Sequence, residues 1–447
     1  MQVRYSYRAY PQGREAQRLA RLFGCCRHVH NAVIGEREHA RRKGLPFPTT
    51  GELSRRLLTD AKRQPGTAWL GEVSAVALQQ ALADADRAYR NFFDSLTGKR
   101  RGRRVGAPRF RSRWDHRRSA RFTRNARFKI EVAGDDPRGA RLYLPQVGWV
   151  PFTLSRPLPS DPSSVTIIRE PDGRHRVSFV VEVVDTPGLT TGRACGIDPG
   201  LSSFATILTT SETGQESVEK IPTPMFLRRR ERALARSQRA LSRKQRGSNN
   251  RKKAKRRVAV QHRKVRDARL DHVHKHAARV VANHDLIAVE DLAVAGMTRT
   301  KLARSVHDQA MGQYLRLIRE KAARQGKTVA TVDRFFPSTR RCSCCHELTG
   351  PSGRMEMNVR TWTCSDCGTR HDRDQNAARN LLQEGFRLAN VVVAVGRTDT
   401  INASRECGHA LCGRGGEESS GPRISADETG LREAGRIVGE GQYAQAA

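Results

Sequence analysis

Four cysteines, Cys342, Cys345, Cys364 and Cys367, stand in a C-x₂-C-x₁₈-C-x₂-C arrangement. Thiols two residues apart can turn both sulfurs toward one point. Two such knuckles joined by a hairpin-length segment make a tetrahedral Zn²⁺ site. A shell of four thiolates leaves no position for water, so this metal would be structural. Cys344 offers a competing spacing, and Cys345 is preferred because its gap matches that of the second knuckle. Cys407, His409 and Cys412 imitate a further ligand set but lie in a stretch without periodicity. Carboxylates form the second group. Asp198 closes a short apolar run, Glu290 and Asp291 close another, and Asp372 and Asp374 directly follow the last knuckle. Mg²⁺ takes carboxylate oxygens and keeps waters for exchange with phosphate. Two such ions roughly 3.5–4 Å apart can activate a water and stabilise the leaving oxygen of a phosphodiester.

The elements that must position these residues follow from periodicity. Residues 1–10 alternate as a strand. Residues 12–96 read as mostly helix, with Leu19, Leu22, Phe23, Cys26 and Val29 at helical spacing. Segments 138–156 and 163–185 are rich in β-formers, and Pro171-Asp172-Gly173 turns the chain between two strands. They predict an antiparallel unit closed as a small barrel. Pro187 and Gly188 mark a linker. Beyond it, Cys195 to Asp198 and Ser203 to Thr209 read as hairpin partners. Leu286 to Glu290 reads as a strand, 307–325 as a helix and Thr328 to Val332 as a strand. That order is α/β. From 387 the chain is rich in Gly, Ser and charge, and is expected to be disordered.

Charge narrows the partners. Of 447 residues, 82 are Lys or Arg and 45 are Asp or Glu, a net of +37. A neutral enzyme avoids such self-repulsion, so a polyanion is implied. Residues 99–129 contribute +13 and 228–269 contribute +17, whereas 387–447 contribute −1. The first block mixes Arg with Phe110, Trp114, Phe122 and Phe128, aromatics able to stack on bases. The second has Leu234/Leu241 and Val258/Val265 seven apart around Gly247-Ser248-Asn249-Asn250, which predicts two basic helices and a turn. No apolar stretch is long enough for a membrane helix, and Met1 to Tyr10 lacks a signal-peptide core. The expected compartment is the cytoplasm, where ten cysteines read as ligands or buried thiols.

Several longer runs resemble one family. They are Gly196-Ile197-Asp198-Pro199-Gly200-Leu201, Ala288-Val289-Glu290-Asp291-Leu292, and Val332 to Thr339 leading into Cys342. Trp362-Thr363-Cys364, Cys367-Gly368 and His371-Asp372-Arg373-Asp374-Gln375-Asn376-Ala377-Ala378 continue the match. Ala107 to Arg113 and Leu144 to Trp149 extend it outside that region. The chain resembles the TnpB (OrfB) proteins of bacterial insertion sequences, relatives of type V CRISPR effectors, from residue 1 to about 386.

The resemblance implies a multidomain α+β protein. A wedge β-barrel would comprise 1–11 and 99–188, around a helical recognition domain at 12–98. A RuvC-like nuclease domain of RNase H fold would span 189–340 and 371–386, with inserted basic helices, a zinc ribbon at 341–370 and a tail at 387–447. It implies a monomeric, Mg²⁺-dependent RNA-guided endodeoxyribonuclease whose partners are a transposon-derived guide RNA and target double-stranded DNA, with no membrane. It selects Asp198, Glu290 and Asp374 as catalytic acids holding two Mg²⁺, with Glu290 over Asp291 and Asp374 over Asp372. Arg109, Arg111, Arg113, Arg243, Lys244, Arg256 and Arg257 would neutralise phosphates, leaving sequence to guide pairing. The alternative is a nuclease-inactive RNA-guided regulator or a transposition accessory protein of the same fold. One departure stands out: His346 occupies a position that is usually Gly in the first knuckle.

Overall fold

A computed structural model of the chain describes residues 1–389, apart from 101, 114, 116–117, 133–138, 353–355 and 357. The expectation for the tail therefore lies, beyond Ala389, outside the described residues, as do Cys407, His409 and Cys412.

Alternating burial along β1 (Gln2–Ala9) turns Tyr7 and Ala9 inward. Two long helices follow, α1 (Gly13–Arg42) and α3 (Ala75–Leu96), joined through the short α2 (Thr50–Ser54). Thr49 and Glu52 form a reciprocal capping box at the start of α2. Six strands complete a seven-stranded sheet: β2 (Arg118–Thr123), β3 (Lys129–Val132), β4 (Gly139–Leu144), β5 (Gly148–Thr153), β6 (Ser164–Arg169) and β7 (His175–Glu182). Their order is β2-β6-β7-β1-β5-β4-β3.

The expected barrel is thus an open half-barrel, with β2 and β3 at its edges. β1 pairs along its whole length with β7 but with β5 only through Ala9 and Phe152, so the sheet splays rather than closes. α1 and α3 share one apolar core with the sheet and supply the cover that closure would have given. A second difference concerns the first basic block. β2 and part of β3 lie inside it, and Phe122 is fully buried in that core, unavailable for stacking on a base. Arg118, at the same parity as the buried Ala120 and Phe122, masks the strand period there. Phe110 does remain exposed.

The second half is built on a five-stranded sheet ordered β10-β9-β8-β11-β12. These strands are β8 (Ala194–Asp198), β9 (Ser203–Thr210), β10 (Glu216–Pro222), β11 (Leu286–Glu290) and β12 (Thr328–Val332). β10 was not legible in the sequence, because six of its seven residues are exposed and no apolar run marks it. β8, β11 and β12 run parallel, and β9 is antiparallel to its neighbours.

The basic pair appears as α4 (Phe226–Ser242) and α5 (Asn249–Asn283), with Ser248 capping α5 through its hydroxyl. α5 changes character along its length. Its first half is cationic, whereas Val273, Ala277, Val280 and Val281 enter the sheet's core. The helix expected at 307–325 is broken at Ala310, whose φ of 54° separates α7 (Ala303–Gln309) from α8 (Met311–Arg324). The short α6 (Val294–Met297) precedes them. A two-stranded ribbon, β13 (Thr361–Thr363) and β14 (Arg370–Asp372), leads into α9 (Arg373–Leu388). No described helix is long and apolar enough to cross a membrane.

Candidate functional site

Strand parity sets the carboxylate site. On β8, Cys195 and Ile197 face the core shared with α5 and α8, while Ala194 joins the apolar cluster under α9. Asp198 follows the second set, so it points to the α9 side. On β11, Leu286 and Ala288 lie in the α9 cluster, and Glu290 continues their parity. β8 and β11 are adjacent and parallel, with Ile197 opposite Val289. Asp198 and Glu290 therefore emerge side by side at one end of the sheet.

α9 supplies the third acid because it lies very close to the strands. A Cβ on Gly196 would collide with the Ala378 carbonyl oxygen and come within 2.8 Å of the Leu382 amide nitrogen. A Cβ on Gly385 would come within 2.5 Å of the Ala288 Cβ. Only two hydrogens permit this approach, and it brings Asp374, in the first turn of α9, to the carboxylate end.

Electrostatics reflects the convergence. Burial pushes the Asp198 carboxyl up to about 7, with the charges of Asp374 and Glu290 adding to the shift while Arg373 and Arg360 oppose it. Burial, then the neighbouring Asp291, pushes Glu290 up to about 7 as well. Desolvated, mutually repelling carboxylates are what a hard divalent cation offsets. The donor set fits Mg²⁺ in this respect.

The neighbouring acids are committed elsewhere. Asp372 caps α9, accepting hydrogen bonds from the Asp374 and Gln375 amides at 3.1 and 3.0 Å, and it pairs with Lys220 at 2.7 Å. Burial would raise its carboxyl, but those partners hold it below the usual carboxylate range. Asp291 turns outward to pair with Arg334. The ribbon contributes Arg360, 3.6 Å from Asp374, and its carbonyl accepts the Arg373 amide at 2.8 Å. Arg360 was not distinguishable in a chain so rich in arginine. His371 turns to the ribbon: its Nε2 is 3.0 Å from the Cys342 sulfur and its ring lies on Trp362.

Among the described residues, the four cysteines Cys342, Cys345, Cys364 and Cys367 are the group of potential metal ligands whose donor atoms all lie within 4.8 Å of one another. Cys342–Cys367 and Cys345–Cys364 sulfurs are each 3.6 Å apart. Thiolates about 2.3 Å from zinc would form a tetrahedron with edges of roughly 3.8 Å, so the set fits. Cys344 is outside it. The two knuckles share one geometry: the His346 and Gly368 amides each donate to the carbonyl of the first cysteine at 3.0 Å. His346 does so at φ 70° and Gly368 at φ 72°. The unusual histidine thus accepts the left-handed conformation of a glycine, and the turn is preserved.

Cys364→Ser is expected to abolish stoichiometric zinc binding, removing metal-coupled folding free energy on the order of 10 kcal/mol. Zinc measured by atomic absorption against protein concentration checks this, and undiminished zinc would mean that other ligands hold it.

The cationic candidates divide. Arg109, Arg111 and Arg113 are exposed on a strap after α3, and Asn31 grips the Arg111 backbone through both its amide atoms, at 2.8 and 3.0 Å. Arg243, Lys244 and Arg257 are exposed on the helical pair. Arg256 is different, since its Nε donates to the Asp172 carbonyl at 2.7 Å. With Arg263, 2.6 Å from the Asp172 carboxylate, and Arg266, 3.5 Å from Glu170, it fastens α5 to the β6–β7 turn. Asp308 anchors the other end, accepting from the Leu227 amide at 2.8 Å and from Arg269 at 3.2 Å. Neither anchor carried a sequence signal, because each partner lies far away along the chain.

Comparison with known proteins gives three family matches: "Probable transposase" over residues 178–301, "Cas12f1-like, TNB domain" over 312–381, and "Helix-turn-helix domain" over 1–45. In this structure the last of these stretches forms β1 and one continuous helix, α1. A Streptomyces pristinaespiralis protein named "Putative RNA-guided DNA endonuclease" is 38% identical over 386 residues, covering 86% of this chain and 89% of its own. "Putative RNA-guided DNA endonuclease InsQ" of Escherichia coli K12 is 28% identical, covering 86% and 92%. A Mycobacterium tuberculosis relative, "Putative RNA-guided DNA endonuclease Rv2885c", is 28% identical and covers 90% of each chain.

Proposed function

The chain belongs to the TnpB (OrfB) family, and from that premise we propose that it is an RNA-guided DNA endonuclease that cuts DNA paired to a bound RNA. The observation that carries this reading is the convergence of Asp198, Glu290 and Asp374 at one end of the β10-β9-β8-β11-β12 sheet, where burial and mutual repulsion call for cations. A central strand flanked by an antiparallel hairpin and two parallel strands, with a helix delivering the last acid, supports a RuvC-like nuclease of RNase H type. Its segments are 189–340 and 371–386, and the ribbon at 341–370 interrupts them. The half-barrel at 1–11 and 99–188 is the wedge, and the helices at 12–98 form the recognition domain.

In this scheme Asp198, on the middle strand, would hold Mg²⁺ together with Glu290 and Asp374. Ions held there would activate a water and stabilise the departing oxygen. The residues around them do the positioning. Asp372 fixes the first turn of α9 so that the Asp374 carboxylate stays aimed at Asp198. The ribbon, held by structural zinc, carries Arg360 to the rim. Arg109, Arg111, Arg113, Arg243, Lys244 and Arg257 bind phosphates, while guide pairing reads sequence.

The test is purification with RNA transcribed from the protein's own locus, then incubation with matched and mismatched targets in libraries of flanking sequence. Mg²⁺-dependent cutting of the matched target alone is expected. Bound RNA with no cutting in any library would instead favour a nuclease-inactive regulator.

A further inference from the structure

Phe335, on the turn between β12 and the first knuckle, is 86% exposed. Single apolar residues on a surface are ordinary, but the rigidity, place and surroundings of this one are not. The turn is hydrogen-bonded throughout. The Asp333 carboxylate accepts the Phe335 amide at 2.8 Å, the Asp333 carbonyl accepts the Phe336 amide at 3.0 Å, and the Phe336 carbonyl accepts the Ser338 amide at 2.8 Å.

Both ends of the turn are pinned beside the carboxylates. Val332 is paired with Glu290, and its carbonyl accepts the Asp291 amide at 2.9 Å. Ser338 is buried, and its carbonyl accepts from Asn376 at 3.4 Å and Asn380 at 2.8 Å. Asn376 lies two residues beyond Asp374 on α9. Phe335 is three residues from each pin, and an extended residue spans at most about 3.6 Å, so it stands within roughly 11 Å of both. Its neighbour Phe336 is partly buried and covered by the Arg341 guanidinium at 5.8 Å. Among the described residues no cation is recorded over Phe335; Arg334 before it is paired with Asp291, and Arg340 five residues on is exposed.

We propose that Phe335 is a stacking platform for a base of the DNA strand being cut, a substrate-positioning residue that holds the adjoining phosphate over Asp198, Glu290 and Asp374. The inference rests on the endonuclease reading. A base inside a duplex already has both faces covered, so a bare aromatic ring beside phosphate-directed acids selects a single strand. The exposed Arg340 suits its phosphates.

The experiment uses the full-length protein with its guide RNA. Phe335→Ala is expected to slow single-turnover cleavage about fivefold or more, the low end for one lost stacking contact, with target affinity and melting temperature unchanged. Phe335→Tyr should restore the rate, whereas Phe335→Leu, apolar but without a π face, should not. An abasic nucleotide at the stacked position should slow the wild type equally and add nothing to Phe335→Ala. Cleavage by Phe335→Ala at the wild-type rate, or rescue by leucine, would overturn the proposal and leave the endonuclease reading intact.

A second readout needs no cutting. In Asp198→Ala protein, 5-iododeoxyuridine placed along the strand should photocrosslink to Phe335. Absence of that crosslink at every position would also overturn it. If the wild type cuts no DNA, the functional reading falls, and the crosslink still decides whether Phe335 stacks on a base.

Discussion

Asp198→Ala is expected to lower target cleavage by about a thousandfold or more while guide RNA stays bound, because in the proposed scheme both metal shells would draw on this acid. The site explains why no neighbour substitutes. Glu290 and Asp374 approach from the adjacent strand and from α9. Asp372 is held by Lys220 and the α9 amides, and Asp291 by Arg334. Asp372→Asn and Asp291→Asn should therefore retain more activity than Glu290→Gln and Asp374→Asn. Single-turnover cleavage by each variant, with co-purified RNA quantified alongside, separates lost chemistry from lost assembly. Wild-type cutting by Asp198→Ala would remove the basis of the proposed mechanism.

Gly196→Ala carries the second large effect, and it touches no acid. The added methyl group meets backbone of α9 rather than a flexible side chain, so the helix must shift as a unit. A destabilisation of about 3 kcal/mol or more is expected, above the usual cost of overpacking. Asp374 rides on that helix, so activity should be lost even in molecules that remain folded. Urea unfolding and cleavage measure the two consequences. Gly35→Ala in α1 serves as the contrast: nothing lies within 4 Å of the new Cβ, and relief of a helical glycine should add about 0.8 kcal/mol. Equal stability of the Gly196→Ala and wild-type proteins would mean that α9 packs differently from this structure.

Much of this was local and therefore readable. Strand β8 and strand β11 announce themselves as short apolar runs ending in acids, and the two cysteine knuckles are defined by spacing within a few residues. The break between α4 and α5 is written in Gly247-Ser248, and Ser248 caps the second helix as such a residue does. Other features depended on partners remote in the chain. Phe122 looked like a candidate for base stacking because it stands among arginines, yet the side of β2 it occupies faces α1 and α3. Arg256 reads only as a phosphate ligand, and its contact with the β6–β7 turn could not be read from the sequence. The half-barrel stays open because helices complete its core, a fact that no strand pattern contains.

The amino-acid sequence by itself determined the kinds of chemistry available: four cysteines spaced to hold a metal ion, acids at strand ends, and +30 of charge in two blocks. Those depend on residue type and short spacing, which survive any packing arrangement. Tertiary structure decided which acids face one another. Asp198, Glu290 and Asp374 lie 92 and 84 residues apart in sequence, and they converge because two parallel strands share a register and a glycine lets one helix lie almost on the sheet. Adjacent acids such as Asp372 and Asp374 differ by where the backbone aims them. That direction comes from a helix cap and a lysine on a distant strand, a relation that exists only once the chain has folded.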